Sequence, residues 1–337
     1  MTAPPLLQLR DLSVDFSTDM GIVHAVDRVS FDIGTDEIVA LVGESGSGKS
    51  VIAQAIMGLL GVGGAGRNAR TSGQLRFRGR DGAAIDLLTL DAEERRRLRG
   101  RDIGMVFQEP MTALNPVLTV GEQIAELLRV HAGLTRAQAA AEAVARLAEV
   151  GIAAPAERAK SYPHQMSGGM RQRVLIAIAM ACQPLLLIAD EPTTALDVTV
   201  QAQILELMRT LKRRTRMSVL FITHDFGIVA ELADRVVVLY AGRMVEEGSA
   251  TDIFASPRHP YTEGLLGAVP RLDLASDTIG AVAILPGTAP DPLAFPAGCR
   301  FHPRCTHARP GLCDGKAPAM TALAGARRFA CHVRASA

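Results

Sequence analysis

Residues 43–50 read GESGSGKS, a glycine-rich run that follows a short apolar stretch and leads into a helical one. That context turns a glycine pattern into a phosphate loop. Gly43, Gly46 and Gly48 let backbone N–H groups converge on phosphates without side-chain clash, with Glu44, Ser45 and Ser47 completing the loop. The loop lies at a helix N-terminus, whose partial positive charge favours anions. Lys49 is placed to reach β- and γ-phosphates, and Ser50 to coordinate Mg²⁺. Residues 185–191, LLLIADE, are an apolar strand ending in two carboxylates. Burial of such a strand delivers Asp190 and Glu191 to its C-terminal edge, where ligands bind in open α/β sheets. Asp190 suits the Mg²⁺ shell, held through water, and Glu191 suits the group that polarises an attacking water. An acidic pair in this place also serves simply to cap the next helix.

Residues 166–172, MSGGMRQ, put Ser167, Gly168 and Gly169 at the start of a helix over 172–181, a second anion site of the same physical kind. One chain does not need two γ-phosphate sites for one nucleotide. Gln108, in VFQEP, follows a short apolar strand and could sense Mg²⁺ and the attacking water, or be merely solvated. His224, in ITHD, follows the strand SVLFIT, from which a side chain can reach a γ-phosphate; a lone His there also fits a structural role. Asp197 stands in ALD, shortly after the acidic pair.

Taken in this order, these segments resemble the nucleotide-binding subunit of an ATP-binding cassette transporter. The resemblance implies ATP with Mg²⁺ as cofactors, the Mg²⁺ held by Ser50, Gln108 and Asp190, and Glu191, Gln108 and His224 as the catalytic set. It also implies that Ser167, Gly168 and Gly169 bind the ATP held by an opposite subunit, and that Asp197 lies in the segment linking the two facing sites. The usual family signature is LSGGQ; here Met166 replaces Leu and Met170 replaces Gln, which removes a polar side chain. The family places an aromatic residue before the phosphate loop to stack on adenine. Residues 21–26, GIVHAV, have none, which leaves Phe16 or Val23 with its apolar neighbours as candidates.

Positioning such a site requires a buried sheet. Residues 6–16 and 26–33 alternate apolar with polar residues and read as strands, and 38–42 is a short apolar strand feeding the loop. Residues 218–223 and 235–240 read as further buried strands, and a helix follows the phosphate loop over 51–60. Residues 135–150 read as a helix capped by Thr135, with Ala143, Leu147 and Val150 on one face and Gly151 at its end. The expected fold is α/β: a phosphate-loop NTPase core of the RecA-like kind, an N-terminal antiparallel β subdomain and an inserted helical subdomain over about 108–181. A nucleotide-binding domain over 1–254 is followed by a small loop-rich C-terminal domain over 255–337, where prolines accumulate. The run at 61–66, GVGGAG, reads as a loop.

Lys and Arg number 36 against 35 Asp and Glu, which argues against a broad nucleic-acid footprint. No signal peptide and no apolar span of membrane length is evident, so a soluble, cytoplasmic chain that meets the membrane through partners is expected. Cys182 reads as a small core residue of an apolar helix. Cys299, Cys305, Cys313 and Cys331 fall in the last 39 residues, a clustering that suggests metal before disulfide. HPYTEGLL at 259–266, LPG at 285–287 and GCRFHPRC at 298–305 resemble the tail of oligopeptide and dipeptide importer ATPases. That resemblance implies a [4Fe–4S] cluster on the four cysteines, with Zn²⁺ as the alternative. It also implies the partners: two transmembrane permeases, a second ATPase subunit that could be a different chain, and an extracytoplasmic binding protein. Residues 108–116 would dock the permeases. Nickel or glutathione import, and a soluble cassette ATPase acting on nucleic acid, are the competing functions. The single cassette and the short interval from Ser50 to Ser167 disfavour the last.

Overall fold

The computed structural model describes residues 4–61, 68–194, 196–268 and 285–335. In chain order the strands are β1 Leu7–Thr18, β2 Gly21–Ile33, β3 Ile38–Val42, β4 Ala69–Arg78, β5 Ala84–Asp86 and β6 Ile103–Val106, then β7 Leu186–Asp190, β8 Ser218–Thr223, β9 Arg235–Tyr240, β10 Arg243–Ser249, β11 Thr321–Ala322 and β12 Arg328–Phe329. The chain folds as two compact units, neither continuous in sequence. The first takes Met1–Leu7, Ile33–Glu37 and Arg76–Phe221, and the second takes Gln8–Asp32, Ile38–Leu75 and Ile222–Ala337.

In the first unit β6 and β7 run parallel, with Ile103 opposite Leu186 and Val106 opposite Ala189. The Ser218 N–H donates to the Leu185 carbonyl and brings the start of β8 onto the same sheet. Every residue of β7 is buried, as its unbroken apolar run requires of a parallel strand covered on both faces. Asp102 just before β6 is fully buried, and it is tolerated because Arg80 at 2.8 Å and Arg101 at 2.6 Å pair with its carboxylate. Helices Val120–Ala132, Arg136–Glu149 and Gly168–Met180 pack in this unit. The second of these starts at a Thr135–Gln138 capping box and buries Ala139, Ala143 and Leu147. Gly151, at φ +73°, follows its end, as the sequence predicts. Gly104 allows β6 to lie close to the Gly168–Met180 helix: a Cβ there would come within 2.3 Å of the Ala179 carbonyl oxygen.

In the second unit β3 pairs parallel with β9, β9 antiparallel with β10, and β10 antiparallel with β12. β3 is buried along its length and delivers the phosphate loop. Strands β2, β1 and β4 are neighbours in a separate sheet. β2 begins at Gly21, five residues earlier than apolar alternation indicates. The Thr18 hydroxyl donates to the Gly21 carbonyl at 2.8 Å, closing a tight turn from β1, so pairing extends a strand whose exposed half carries no hydrophobic signal. The helix after the loop, Lys49–Ile56, starts two residues earlier than predicted and stops short, with Gly58 at φ +60° just beyond. The tail is less loop-like than its prolines imply. Helix Pro260–Gly267 has Pro at its first turn, where a missing N–H costs nothing, and β11 and β12 add two short strands. Tyr240, Tyr261 and Phe301 are joined there in one apolar core with Val42 and Val238. Cys182 lies just past the Gly168–Met180 helix and is half-buried, not a core residue within it. All of the 61–66 run after Gly61 falls outside the described residues.

Candidate nucleotide site

The phosphate loop leaves β3 and turns beneath β9. Gly43 has φ +152°, and a Cβ on it would sit 2.2 Å from the Leu239 carbonyl oxygen; Gly48, at φ +100°, would meet the Ala25 carbonyl oxygen at 2.5 Å. Both positions therefore demand glycine for backbone approach as well as for access to a ligand. Gly48 is the N-cap of the Lys49–Ile56 helix and has no side chain to cap it, so the loop runs directly into a helix N-terminus whose partial positive charge favours an anion. Lys49 is buried, and its ammonium donates to the carbonyls of Gly43 at 2.7 Å and Glu44 at 2.9 Å. A buried ammonium ringed by loop oxygens is a charge poised for an anion of the same reach. Ser47 is buried beside it, with its hydroxyl 3.4 Å from the Lys49 Nζ, and its carbonyl accepts from the Gly242 N–H. Ser50 follows Lys49 in the first turn of the helix, half-buried, and Ser45 is exposed on the loop.

In the first unit β7 ends as predicted, with Asp190 buried at its tip. Glu191 follows at φ +46°, an uncommon backbone state for a non-glycine residue that costs about 1–3 kcal/mol and concentrates at functional sites. Its Oε2 accepts from the Gln108 side-chain amide at 3.1 Å and from the Thr194 hydroxyl at 2.9 Å. The structure thus brings Gln108 and Glu191 together across 83 residues of sequence. Thr194 escaped the sequence reading; its only signal was a hydroxyl three residues after the acidic pair. His224 leaves the end of β8 in the second unit, exposed.

Ser167 caps the Gly168–Met180 helix, its hydroxyl accepting from the Met170 N–H at 3.3 Å. Ser167 and Gly168 are exposed at that helix start, and Gly169 is half-buried. Arg171 Nε donates back to the carbonyls of Pro163 and Met166 at 3.0 and 2.9 Å, which fixes the turn leading into the helix. Asp197 caps Val198–Thr215 by accepting from the Val200 N–H at 2.9 Å. A Cβ on Gly169 would press 2.9 Å from Val200 Cγ1, so the two capped helix starts lie side by side. Phe16 and Val23 are half-buried on β1 and β2.

The four clustered cysteines line one small cavity in the tail, and none forms a disulfide. Burial pushes the Cys299 thiol up to about 11, with the three other sulfurs nearby raising it further, and burial also raises Cys305. Among the described residues no three His, Cys, Asp or Glu side chains form a group able to hold a metal ion. The iron–sulfur or zinc centre anticipated from the sequence is therefore not supported by this geometry. Cys313 Sγ instead accepts from the Arg309 N–H at 3.3 Å.

A buried strand feeding a glycine loop in one unit, and a buried strand ending in a carboxylate pair in the other, are elements of the phosphate-loop NTPase class. Comparison with known proteins narrows this. A family model described as ABC transporter matches residues 26–194, and one described as oligopeptide/dipeptide transporter, C-terminal region, matches 245–313. The chain is 51% identical over 330 residues to a Brucella abortus (strain 2308) protein named for peptide import and ATP binding, covering 98% of this chain and 95% of that one. It is 50% identical, with the same coverage, to the dipeptide transport ATP-binding protein DppD of Bacillus subtilis (strain 168). The ATP-binding cassette MJ0796, solved as a dimer bound to ADP and Pi, superposes with a TM-score of 0.63 at 28% identity, over 72% of this chain and 98% of that one. The chain belongs to the ABC transporter family and has the ATP-binding cassette fold, with its ATPase activity. No helix among the described residues is long and apolar enough to cross a membrane.

Proposed function

We propose that this chain is the ATP-hydrolysing subunit that energises import of dipeptides or oligopeptides across the cytoplasmic membrane. The observation that carries the reading is the joining, in one chain, of a cassette at 26–194 to a peptide-transporter C-terminal region at 245–313. Relatives named for peptide and dipeptide transport match over nearly the whole length and support it. The reading divides the chain into a nucleotide-binding domain over 1–254, with a helical subdomain near 108–181, and a C-terminal domain over 255–337.

In this reading residues 43–50 cradle the phosphates, and Ser50, Gln108 and Asp190 hold Mg²⁺. The bound Mg²⁺ supplies charge neutralisation at the transferred phosphoryl group. Glu191, oriented by Gln108 and Thr194, takes a proton from the attacking water, and His224 contacts the γ-phosphate. The exposed cap formed by Ser167, Gly168 and Gly169 faces the nucleotide of a second cassette, and Asp197 sits where the two sites meet. The dimeric state of MJ0796 favours that pairing. The second cassette is identical or a related chain; two permeases dock near residues 108–116, holding the subunit on the inner membrane face, and an extracytoplasmic protein delivers cargo. No nucleic acid is involved.

Reconstitution tests this. The complex co-purified with its permeases in liposomes should raise its ATP turnover when a peptide-loaded binding protein is added. Stimulation by nickel or glutathione instead, with none by peptides, would move the cargo assignment.

A further inference from the structure

Glu44 is the one acidic residue of the phosphate loop, and the C-terminal segment holds it at two points. Arg304 donates from Nη1 to Glu44 Oε2 at 2.7 Å and from Nη2 to Oε1 at 2.9 Å, a two-pronged pair between residues 260 apart in sequence. The Glu44 backbone N–H donates to the Tyr261 hydroxyl at 2.8 Å. Arg304 is itself fixed: Nε donates to the Pro286 carbonyl at 2.7 Å, Nη1 to the Tyr240 hydroxyl at 3.3 Å, and its side chain is only 7% exposed. Tyr261 is fully buried, its ring 4.6 Å from Tyr240 and 5.4 Å from Phe301. The segment that supplies Tyr261, Phe301 and Arg304 is thus bolted to one residue of the loop.

The electrostatics give this a purpose. A carboxylate in a loop built to receive a triphosphate repels the ligand, and a partly buried carboxylate stripped of its partner is costly. A planar guanidinium cancels that charge and, by gripping both oxygens, fixes its direction, which a lysine ammonium cannot do.

We propose that Arg304 is a positioning residue for ATP: it neutralises and immobilises Glu44, so that the remaining loop amides and Lys49 meet the triphosphate without a competing carboxylate. The C-terminal segment is then part of the support of the nucleotide site. This rests on the reading of residues 43–50 as the ATP loop.

The test is a double-mutant cycle in the full chain, read as affinity for Mg·ATP by competition with a fluorescent ATP analogue. Arg304→Met should weaken binding about tenfold in the wild-type background and by no more than about twofold in the Glu44→Gln background, because the charge it cancels is then gone. Equal losses in both backgrounds, or no loss in either, would overturn the proposal, since a purely structural defect is blind to the residue at 44. Should Arg304→Met fail to fold, Arg304→Lys enters the same cycle, where a loss confined to the wild-type background supports the proposal and equal losses overturn it. Lys49→Ala separates the two readings: if it binds ATP normally, the loop assignment itself fails, whatever the cycle gives.

Discussion

Glu191 combines a strained backbone, a pair of side-chain hydrogen bonds and a place at the tip of a buried strand. Gln108 and Thr194 both donate to one carboxylate oxygen, an arrangement that fixes the direction of the Glu191 side chain as a base requires. Glu191→Gln keeps the volume and the hydrogen bonds in part but cannot accept a proton. Its ATP turnover should fall about 10²- to 10⁴-fold while ATP affinity stays near wild type, measured by phosphate release and by equilibrium binding. Unchanged turnover would remove Glu191 from the role of base. The placement of Lys49 and Ser50 at a helix start, and of Asp190 and Glu191 at a strand end, was legible because apolar runs and a glycine loop mark those element ends locally. Thr194, Tyr261 and Arg304 were not, because a hydroxyl, a phenol and a guanidinium carry no local pattern, and their partners are set by the fold.

The loop between β3 and the Lys49–Ile56 helix is held by its neighbours as firmly as by its own sequence. Gly43 lies under the Leu239 carbonyl of β9, and Gly48 under the Ala25 carbonyl of β2. Sequence alone assigns these glycines to phosphate access. The packing adds a second reason that no phosphate argument contains. Gly43→Ala must push β9 from β3 or abandon a φ of +152°, either of which costs about 1–3 kcal/mol and shifts the loop. The variant should unfold at lower temperature in a calorimetric scan and lose ATP binding, even though the added methyl group carries no charge. Element boundaries missed their positions for similar reasons: β2 gained its first residues from a turn hydrogen bond at Thr18, and the Gly168–Met180 helix began four residues before the start expected at Gln172 because Ser167 caps it.

At the scale of the whole molecule, the tail is fastened by buried charge. Glu246 and Glu247 on β10 are almost wholly buried. Glu246 accepts from the N–H groups of Arg258 and His259 at 2.7 and 2.8 Å and pairs with Arg327, while Glu247 is gripped by Arg235 and by Arg328. Breaking one partner of such a set leaves an uncompensated buried charge, so the tail and β10 stand or fall together. His259 begins the Pro260–Gly267 helix, its Nδ1 accepting from the Tyr261 N–H at 3.1 Å, and complete burial lowers its imidazole to about 3. With a native value below the ordinary one near 6.5, the unfolded chain binds the extra proton between those limits. Stability should therefore decline as pH falls below about 6.5, by up to about 1.4 kcal/mol per pH unit, and this contribution should level off near 3. Melting temperatures from pH 7.5 to 5 should drop less in His259→Asn, which preserves a capping acceptor without a titration. Parallel declines in both proteins would refute the assignment.

The sequence by itself determined the chemistry: a phosphate loop, a buried strand ending in carboxylates, and a glycine signature are local patterns whose residue types already state what they bind, and strands β3, β8 and β9 fell on the residues predicted. Only the tertiary structure decided which distant side chains meet the residues of those patterns. It joined Gln108 to Glu191, and Arg304 and Tyr261 to Glu44. It lined one small cavity with the four cysteines, without bringing three ligand side chains among the described residues into a group able to hold a metal ion. The physical reason is that a hydrogen bond or a ligand set depends on distances between side chains brought together by burial, and the spacing of residues along a chain does not encode those distances.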